Sequence, residues 1–150
     1  MKFNKVTQPP ISFFDFLPED WKEELLPQWD NLRSSSEVYT ITIDCELICM
    51  GIVFKEVLPK LSLAEKRVQK MFVNYSYIGY LYTLPKYRGQ GFATKWFEFI
   101  KKQDPKRNFW LAIEESILIE FYSKHGFKKY EDPLVLEDIQ DEFILYYNHN

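Results

Sequence analysis

The sequence predicts a single α+β (mixed α/β) domain spanning residues 1–150, and three observations carry that expectation. Strand-type and helix-type apolar periodicities alternate along the chain. A long aromatic strand, Val73–Leu84, runs through a glycine-bearing loop straight into an amphipathic helix at Phe92–Gln103. No internal repeat, low-complexity tract or linker divides the chain. A domain of this length buries roughly 70% of its unfolded-chain surface, so it needs neither disulfide nor metal to fold.

Taken in order, Ile11–Phe14 is a short apolar run after Pro9-Pro10 and reads as an edge strand. Pro18, followed by Glu19 and Asp20, opens a helix carrying Trp21, Leu25 and Leu26. Pro27 breaks it and begins a second short helix with Trp29 and Leu32. Val38–Ile43 alternates as a strand, Asp44-Cys45-Glu46 turns the chain, and Leu47–Val57 returns as a third strand. Gly51 inside that strand marks a bulge or a close backbone approach. Ser62-Leu63-Ala64-Glu65 is a capping box and starts a helix running to about Met71, expected either to border the acceptor groove or to cover an edge of the sheet.

The fourth strand, Val73–Leu84, carries Tyr80 and Tyr82 on one face and Tyr75 and Tyr77 on the other. In the following helix Phe92, Trp96, Phe99 and Ile100 share a face, with Lys95, Glu98 and Lys102 opposite, and Asp104-Pro105 stops it. Phe109–Ile113 is a buried-type fifth strand and Ser116–His125 a helix closed by Gly126. Phe127–Tyr130 and Glu142–Tyr147 are closing strands joined by a charged loop.

Composition narrows the class. Hydrophobic residues make up 46% and charged residues 27%, with a net charge of −3, so no global basicity points to nucleic acid. The basic clusters Lys101, Lys102, Lys106, Arg107 and Lys124, Lys128, Lys129 read as solvated faces, the alternative being that one of them meets the ribose phosphate of a bound cofactor. Aromatics at 18% require a core or groove rich in rings. Cys45 and Cys49 are too few for a disulfide framework or a zinc site, and His125 and His149 are isolated, so no metal is implied. No leader-type apolar segment precedes Pro10 and no run approaches the ~20 apolar residues of a membrane span, so a cytoplasmic location and no membrane partner are expected.

The chemistry concentrates at the strand-to-helix junction Leu81-Tyr82-Thr83-Leu84-Pro85-Lys86-Tyr87-Arg88-Gly89-Gln90-Gly91-Phe92-Ala93-Thr94. Unpaired N–H groups and a helix dipole converge there, Gly89 and Gly91 let an anion approach the main chain, and Arg88 adds a fixed positive fork. A pyrophosphate fits this chemistry. A P-loop does not, because Gly91 is followed by Phe92 rather than Lys, and a Rossmann fingerprint lacks its third small residue at Thr94.

The loop resembles the cofactor signature of the GNAT acetyltransferases, Arg/Gln-x-x-Gly-x-Gly/Ala, with Arg88, Gly91 and Ala93 in the defined places. Pro85, Tyr87 and Gly89 also agree with the family's flanks, and Phe121-Tyr122-Ser123-Lys124-His125-Gly126-Phe127 resembles its Tyr-x-Lys-x-Gly-Phe segment. The resemblance implies a twisted mixed β-sheet flanked by helices, with a wedge between the fourth and fifth strands that admits acetyl-CoA. It implies backbone contacts from Leu81, Tyr82 and Thr83 to the pantetheine arm. Arg88, Gly89, Gln90, Gly91, Phe92, Ala93 and Thr94 would hold the pyrophosphate, and Tyr122 would protonate the departing thiolate. The activity implied is acetyl transfer to an amine, on a small molecule or a peptide; the alternative is a non-catalytic acyl-CoA-binding sensor of the same fold.

Several places depart from the pattern. Glu115 stands where members often carry Asn, Trp110 where some carry a Glu base, and the fourth strand offers Tyr75 and Tyr77 but no carboxylate. An alkylamine with a pKa of about 10.4 is neutral only ~0.04% of the time at pH 7, a penalty of roughly 4.6 kcal/mol. Glu115, and next to it Glu114, are the nearest carboxylates to the wedge and the candidates for a base. The Glu142–Tyr147 strand either pairs with a second copy, as in a homodimer, or stays covered within the chain.

Overall fold

The computed structural model describes residues 1–149. The elements are β1 (Lys2–Val6), α1 (Glu19–Leu25), α2 (Trp29–Leu32), β2 (Ser36–Ile43), β3 (Glu46–Phe54), α3 (Leu63–Val68), β4 (Tyr75–Thr83), α4 (Phe92–Gln103), β5 (Asn108–Ile113), α5 (Leu118–Lys124), β6 (Lys128–Lys129), α6 (Pro133–Leu136) and β7 (Phe143–Tyr147). Among the described residues the strands form one sheet in the order β1-β2-β3-β4-β5-β7-β6. Every neighbouring pair is antiparallel except β4 and β5, which run parallel. No helix among the described residues is long and apolar enough to cross a membrane.

The first strand is not where the apolar run suggested. Ile11–Phe16 is a 3-10 segment, and β1 is the polar stretch Lys2–Val6, paired along its length with Val38–Thr42 of β2. Pro10 supplies the first carbonyl, accepting from Phe13 N–H at 2.9 Å, and the three-residue repeat turns Phe14 and Leu17 inward. Phe14 then meets Trp29 edge to face at 4.7 Å. An edge strand needs only one modestly buried face, which is why Lys-Phe-Asn-Lys-Val carries so weak a signal.

Both faces of the sheet are packed. On one lie Phe14, Leu25, Trp29 and Leu32 of the N-terminal segments with Ala64 and Val68 of α3, against Met50, Ile52, Phe54, Tyr77 and Trp110. On the other, Phe92, Trp96, Phe97 and Ile100 of α4 and Tyr122 of α5 cover Tyr39, Ile48, Val53, Ile78 and Leu111. Phe97 takes the buried place expected of Phe99, which is only half-buried. The α3 helix lies on the sheet face and does not cover an edge, since the edges are β1 and β6. Its capping box forms as expected: Ser62 Oγ accepts from Glu65 N–H at 3.2 Å and Glu65 Oε1 accepts from Ser62 N–H at 2.9 Å.

Gly51 is a close-approach position. A Cβ there would lie under 3 Å from three atoms of the Trp96 indole, whose Nε1 donates to Tyr39 O at 2.9 Å. This glycine therefore sets how near α4 comes to β3. The basic clusters are not all solvated. Arg107 forms an ion pair with buried Glu37 at 2.7 Å, and Lys101 lies over the Tyr147 ring and donates to His125 O. The segment expected to be only a charged loop contains α6, capped by Asp132, and Arg67 of α3 ties it down through Asp138. β7 lies between β5 and β6, so it is paired within the chain.

Candidate acetyl-transfer site

The site begins where two parallel strands part. β4 and β5 pair only across Tyr75–Tyr77 and Asn108–Trp110. Beyond that, β4 continues to Thr83 with β3 on one side and no strand on the other. A bulge marks the divergence: Tyr80 and Leu81 together oppose Gly51, between the pairs Ile52–Gly79 and Met50–Tyr82. Tyr80 takes φ 56, a left-handed conformation that a bulky residue rarely adopts. It is pinned there by its hydroxyl, which donates to Glu24 Oε1 at 2.7 Å, and by ring contacts with Trp21 and Phe54.

The bulge also resets alternation. Tyr75, Tyr77, Tyr80 and Tyr82 all pack on the α1 face, whereas unbroken alternation would have split them between faces. The open gap forms a cavity of about 330 Å³ lined by Trp21, Tyr80, Leu81, Leu111, Glu115 and Tyr122, among others. It therefore draws residues from both faces of the sheet.

At the far end of β4 the glycine loop leads into α4. Pro85–Tyr87 is a 3-10 turn, Gly89 has φ 76, and Gly91 has φ 84 at the N-cap of α4. Among the described residues none of the main-chain N–H groups from Gly89 to Thr94 donates to an acceptor; the first helical amide to find one is Lys95, bonded to Gly91 O at 3.0 Å. These groups border a second cavity of about 360 Å³, lined by Thr83, Arg88, Gly89, Gly91, Phe92, Ala93, Thr94 and Phe121. The loop is anchored from outside: Tyr87 donates to Glu46 Oε1 at 2.7 Å and Lys86 pairs with Glu46 at 3.2 Å. Gln90 Nε2 bonds Lys86 O at 3.2 Å, and Arg88 folds back so that its Nε donates to Thr83 O at 3.1 Å while its guanidinium lies 5.1 Å from the Tyr82 ring centre.

Tyr122 is held by the end of α5. Its carbonyl accepts from His125 N–H at 3.0 Å and Phe127 N–H at 3.1 Å, and Gly126 takes φ 87 to close the turn. Its ring packs among Phe97, Phe121 and Phe127, and its hydroxyl has no hydrogen-bond partner among the described residues. Burial pushes the phenol up to about 12, so it stays protonated at neutral pH. Glu115 is exposed at the turn after β5 and lines the same gap as Tyr122 and Leu81. Tyr82 instead turns its ring to Phe16 and Trp21.

The comparisons with known proteins agree with this geometry. A family model described as an acetyltransferase (GNAT) domain matches residues 57–129. That stretch, just under half of the chain, is similar to the GNAT acetyltransferases, and the chain as a whole has their fold. No curated protein sequence matches it. Among solved structures, an aminoglycoside 6′-N-acetyltransferase complexed with coenzyme A superposes at TM-score 0.67 and 13% identity, over 100% of this chain and 98% of the other. A GNAT family acetyltransferase from Elizabethkingia anophelis with acetyl-CoA bound gives 0.60 and 12%, over 98% and 97%. A mutant spermidine N-acetyltransferase from Vibrio cholerae gives 0.60 and 10%, over 99% and 95%. At these identities the likeness is one of fold.

The GNAT fold of this chain also brings together residues that sequence reasoning passed over. Glu65 caps α3 with one carboxylate oxygen, while the other accepts the hydroxyl of buried Tyr77 at the point where β4 and β5 part. Burial, with the Glu65 charge beside it, holds the Tyr77 phenol well above its ordinary range. Gly79 inside β4 was the available signal for the bulge, on the same grounds as Gly51 in β3.

Proposed function

We propose that this protein transfers an acetyl group from acetyl-CoA to an amine, with the donor's pyrophosphate on the Gly89–Thr94 loop and its pantetheine arm along Leu81, Tyr82 and Thr83. The observation that carries this reading is the run of unbonded amides from Gly89 to Thr94 at the start of a twelve-residue helix. The bound CoA and acetyl-CoA of relatives with this fold support it. Arg88 closes the loop toward the arm and Gln90 braces its turn.

In the step itself the neutral amine attacks the thioester carbonyl, the C–S bond breaks, and the nitrogen's surplus proton must reach the thiolate or solvent. Tyr122 is the group assigned to the sulfur. Its phenol near 12 lies about 3.5 units above an ordinary thiol near 8.5, so outright transfer to the thiolate would be uphill by roughly 5 kcal/mol. Tyr122 therefore donates a hydrogen bond to the leaving sulfur and relays a proton released by the attacked nitrogen. Glu115 is the carboxylate placed to draw a proton from the incoming ammonium through solvent.

The test is calorimetric titration of the protein with CoA, beside Gly91→Val. Micromolar or tighter binding by the parent and a loss of 100-fold or more in the variant are expected, because a β-branched residue is strained at φ 84 and fills the approach to the amides. Parent protein that takes up no CoA would end the reading.

A further inference from the structure

His125 follows the last turn of α5 and packs against two residues that line the cavity beside the free amides, Thr94 and Phe121. Its Nε2 lies 3.2 Å from Thr94 Oγ1. Its ring stacks on Phe97 at 5.4 Å and meets Phe121 edge to face at 5.0 Å. Main-chain bonds hold the residue from both sides: its N–H donates to Tyr122 O at 3.0 Å, and its carbonyl accepts from Lys101 Nζ. The imidazole thus ties the first turn of α4, where the amides are free, to the helix end that carries Tyr122. Thr94 is the one residue of the Gly89–Thr94 run with a hydroxyl.

The direction of the Thr94 bond depends on the ring's charge. With its proton on Nδ1 the neutral imidazole accepts the Thr94 hydroxyl hydrogen at Nε2; in the cation Nε2–H donates to Oγ1, and the hydroxyl must turn its hydrogen elsewhere. The ring is half-buried, and Nδ1 makes no hydrogen bond among the described residues, so solvent can deliver a proton there. Lys101 and Glu98, both of α4, are the charged groups that face it, between the apolar walls of Phe97 and Phe121. Burial, with the Lys101 charge, holds His125 below its ordinary range, although the Glu98 charge opposes them, so the free protein carries it neutral at pH 7. An anion seated on the adjacent amides acts the other way and favours the cation.

We propose that His125 is a positioning residue for the donor's pyrophosphate: it holds Thr94 Oγ1 at the end of the free-amide run and takes up a proton as the anion binds, which turns the Thr94 hydroxyl hydrogen toward a phosphate oxygen. This rests on the acetyl-transfer reading above and adds a residue to its donor site. The proton comes from solvent and adds at Nδ1, and no covalent bond to the donor is made or broken. Binding is therefore tighter as pH falls through the range in which the free ring is neutral and the occupied one charged, and weaker as pH rises above it. A ring that served only as packing between Phe97 and Phe121 would take up no proton and would leave the pH profile of binding unmoved when replaced.

The test is calorimetric titration of the full chain from about pH 7.5 to about pH 5.5, in pairs of buffers that differ in ionisation enthalpy, so that protons taken up on binding are counted. The probes are CoA and dephospho-CoA; the second lacks the phosphate monoester that itself titrates at about pH 6. For the parent, affinity for dephospho-CoA is expected to rise about three- to tenfold over this range, with uptake of about half a proton or more near its acid end. His125→Gln keeps a polar side chain that cannot ionise, and His125→Phe keeps the stack on Phe97. Each is expected to abolish the uptake and flatten the profile. Thr94→Val keeps the side-chain shape and is expected to cost about threefold or more at acid pH, where the hydroxyl donates, and less at pH 7.5. Binding by the parent without proton uptake, His125 variants with the parent's profile, or Thr94→Val binding as the parent does at acid pH would each overturn the role of His125 and leave the donor site standing. Parent protein that binds neither probe at any pH would remove the acetyl-transfer reading and this role with it.

Discussion

Replacing Glu37 by Gln separates the electrostatics of this sheet from its packing. The Glu37 side chain is 8% exposed and meets Lys5 at 2.7 Å, Arg107 at 2.7 Å and Lys55 at 3.6 Å. One carboxylate therefore fastens β1, the end of β3 and the segment entering β5 to β2. Burial alone would raise its pKa. The hydrogen bonds from Lys5 and Arg107, with the Arg107 and Lys55 charges, outweigh that and bring it from 4.5 to about 2. A folded-state pKa below the unfolded one means stability that is fully present above pH 4.5 and lost as pH falls toward 2. The shift of about 2.5 units corresponds to roughly 3 kcal/mol, a ceiling because Lys5 and Lys55 are about half exposed and screened.

Glu37→Gln is therefore expected to cost about 2–3 kcal/mol at pH 7, which for a chain of this size lowers Tm by roughly 4–12 °C. The gap between parent and variant should narrow to under about 1 kcal/mol by pH 2.5, because protonation progressively removes from the parent what the mutation has already removed. Urea unfolding of both proteins at several pH values measures it. A gap that stays constant from pH 7 to 2.5, or a variant as stable as the parent at pH 7, would refute the assignment of this stability to the Glu37 charge.

Three further outcomes follow from the same coordinates. Gly51→Ala should destabilise by about 1–3 kcal/mol in urea unfolding, since its Cβ would press into the Trp96 indole and push α4 off β3. Ser62→Ala should cost about 1 kcal/mol by removing the α3 cap, measured by the same method. Tyr122→Phe should lower kcat by roughly 10²–10⁴-fold with CoA affinity unchanged, read by thiol release and titration together; a variant as fast as the parent would dismiss the hydroxyl.

Where sequence and structure agree, the local signal was stronger than any tertiary influence. The capping box at Ser62, the stop at Asp104-Pro105, the left-handed Gly126 and the span of α4 are decided within a few residues of chain, and all form as read. The β2–β3 hairpin turns at Asp44 and Cys45, both with positive φ, where a short polar cluster interrupts two apolar runs. The expectations that failed depend on distant partners. Lys2–Val6 is a strand because β2 offers it an edge, and Phe13-Phe14 winds into a 3-10 turn because Trp29 and the sheet leave a pocket for Phe14. No window of a dozen residues contains either fact.

The site divides in the same way. Its run of free amides was legible because they, the positive φ and the helix dipole are properties of one contiguous loop. The cavity shared by Glu24, Glu65, Glu114 and Glu142 was not, because these residues come from α1, α3, the end of β5 and the approach to β7. Glu65 was even correctly read, as a helix cap, and that local role concealed a second one, since its two oxygens serve Ser62 and Tyr77 separately. The bulge at Tyr80 joins these halves: it brings Tyr80 and Tyr82 to the face of Tyr75 and Tyr77, lets the Tyr80 hydroxyl reach Glu24, and lies just beyond the last β4–β5 pair. A single extra residue in one strand thus sits where β4 parts from β5 and brings the Tyr80 hydroxyl to Glu24.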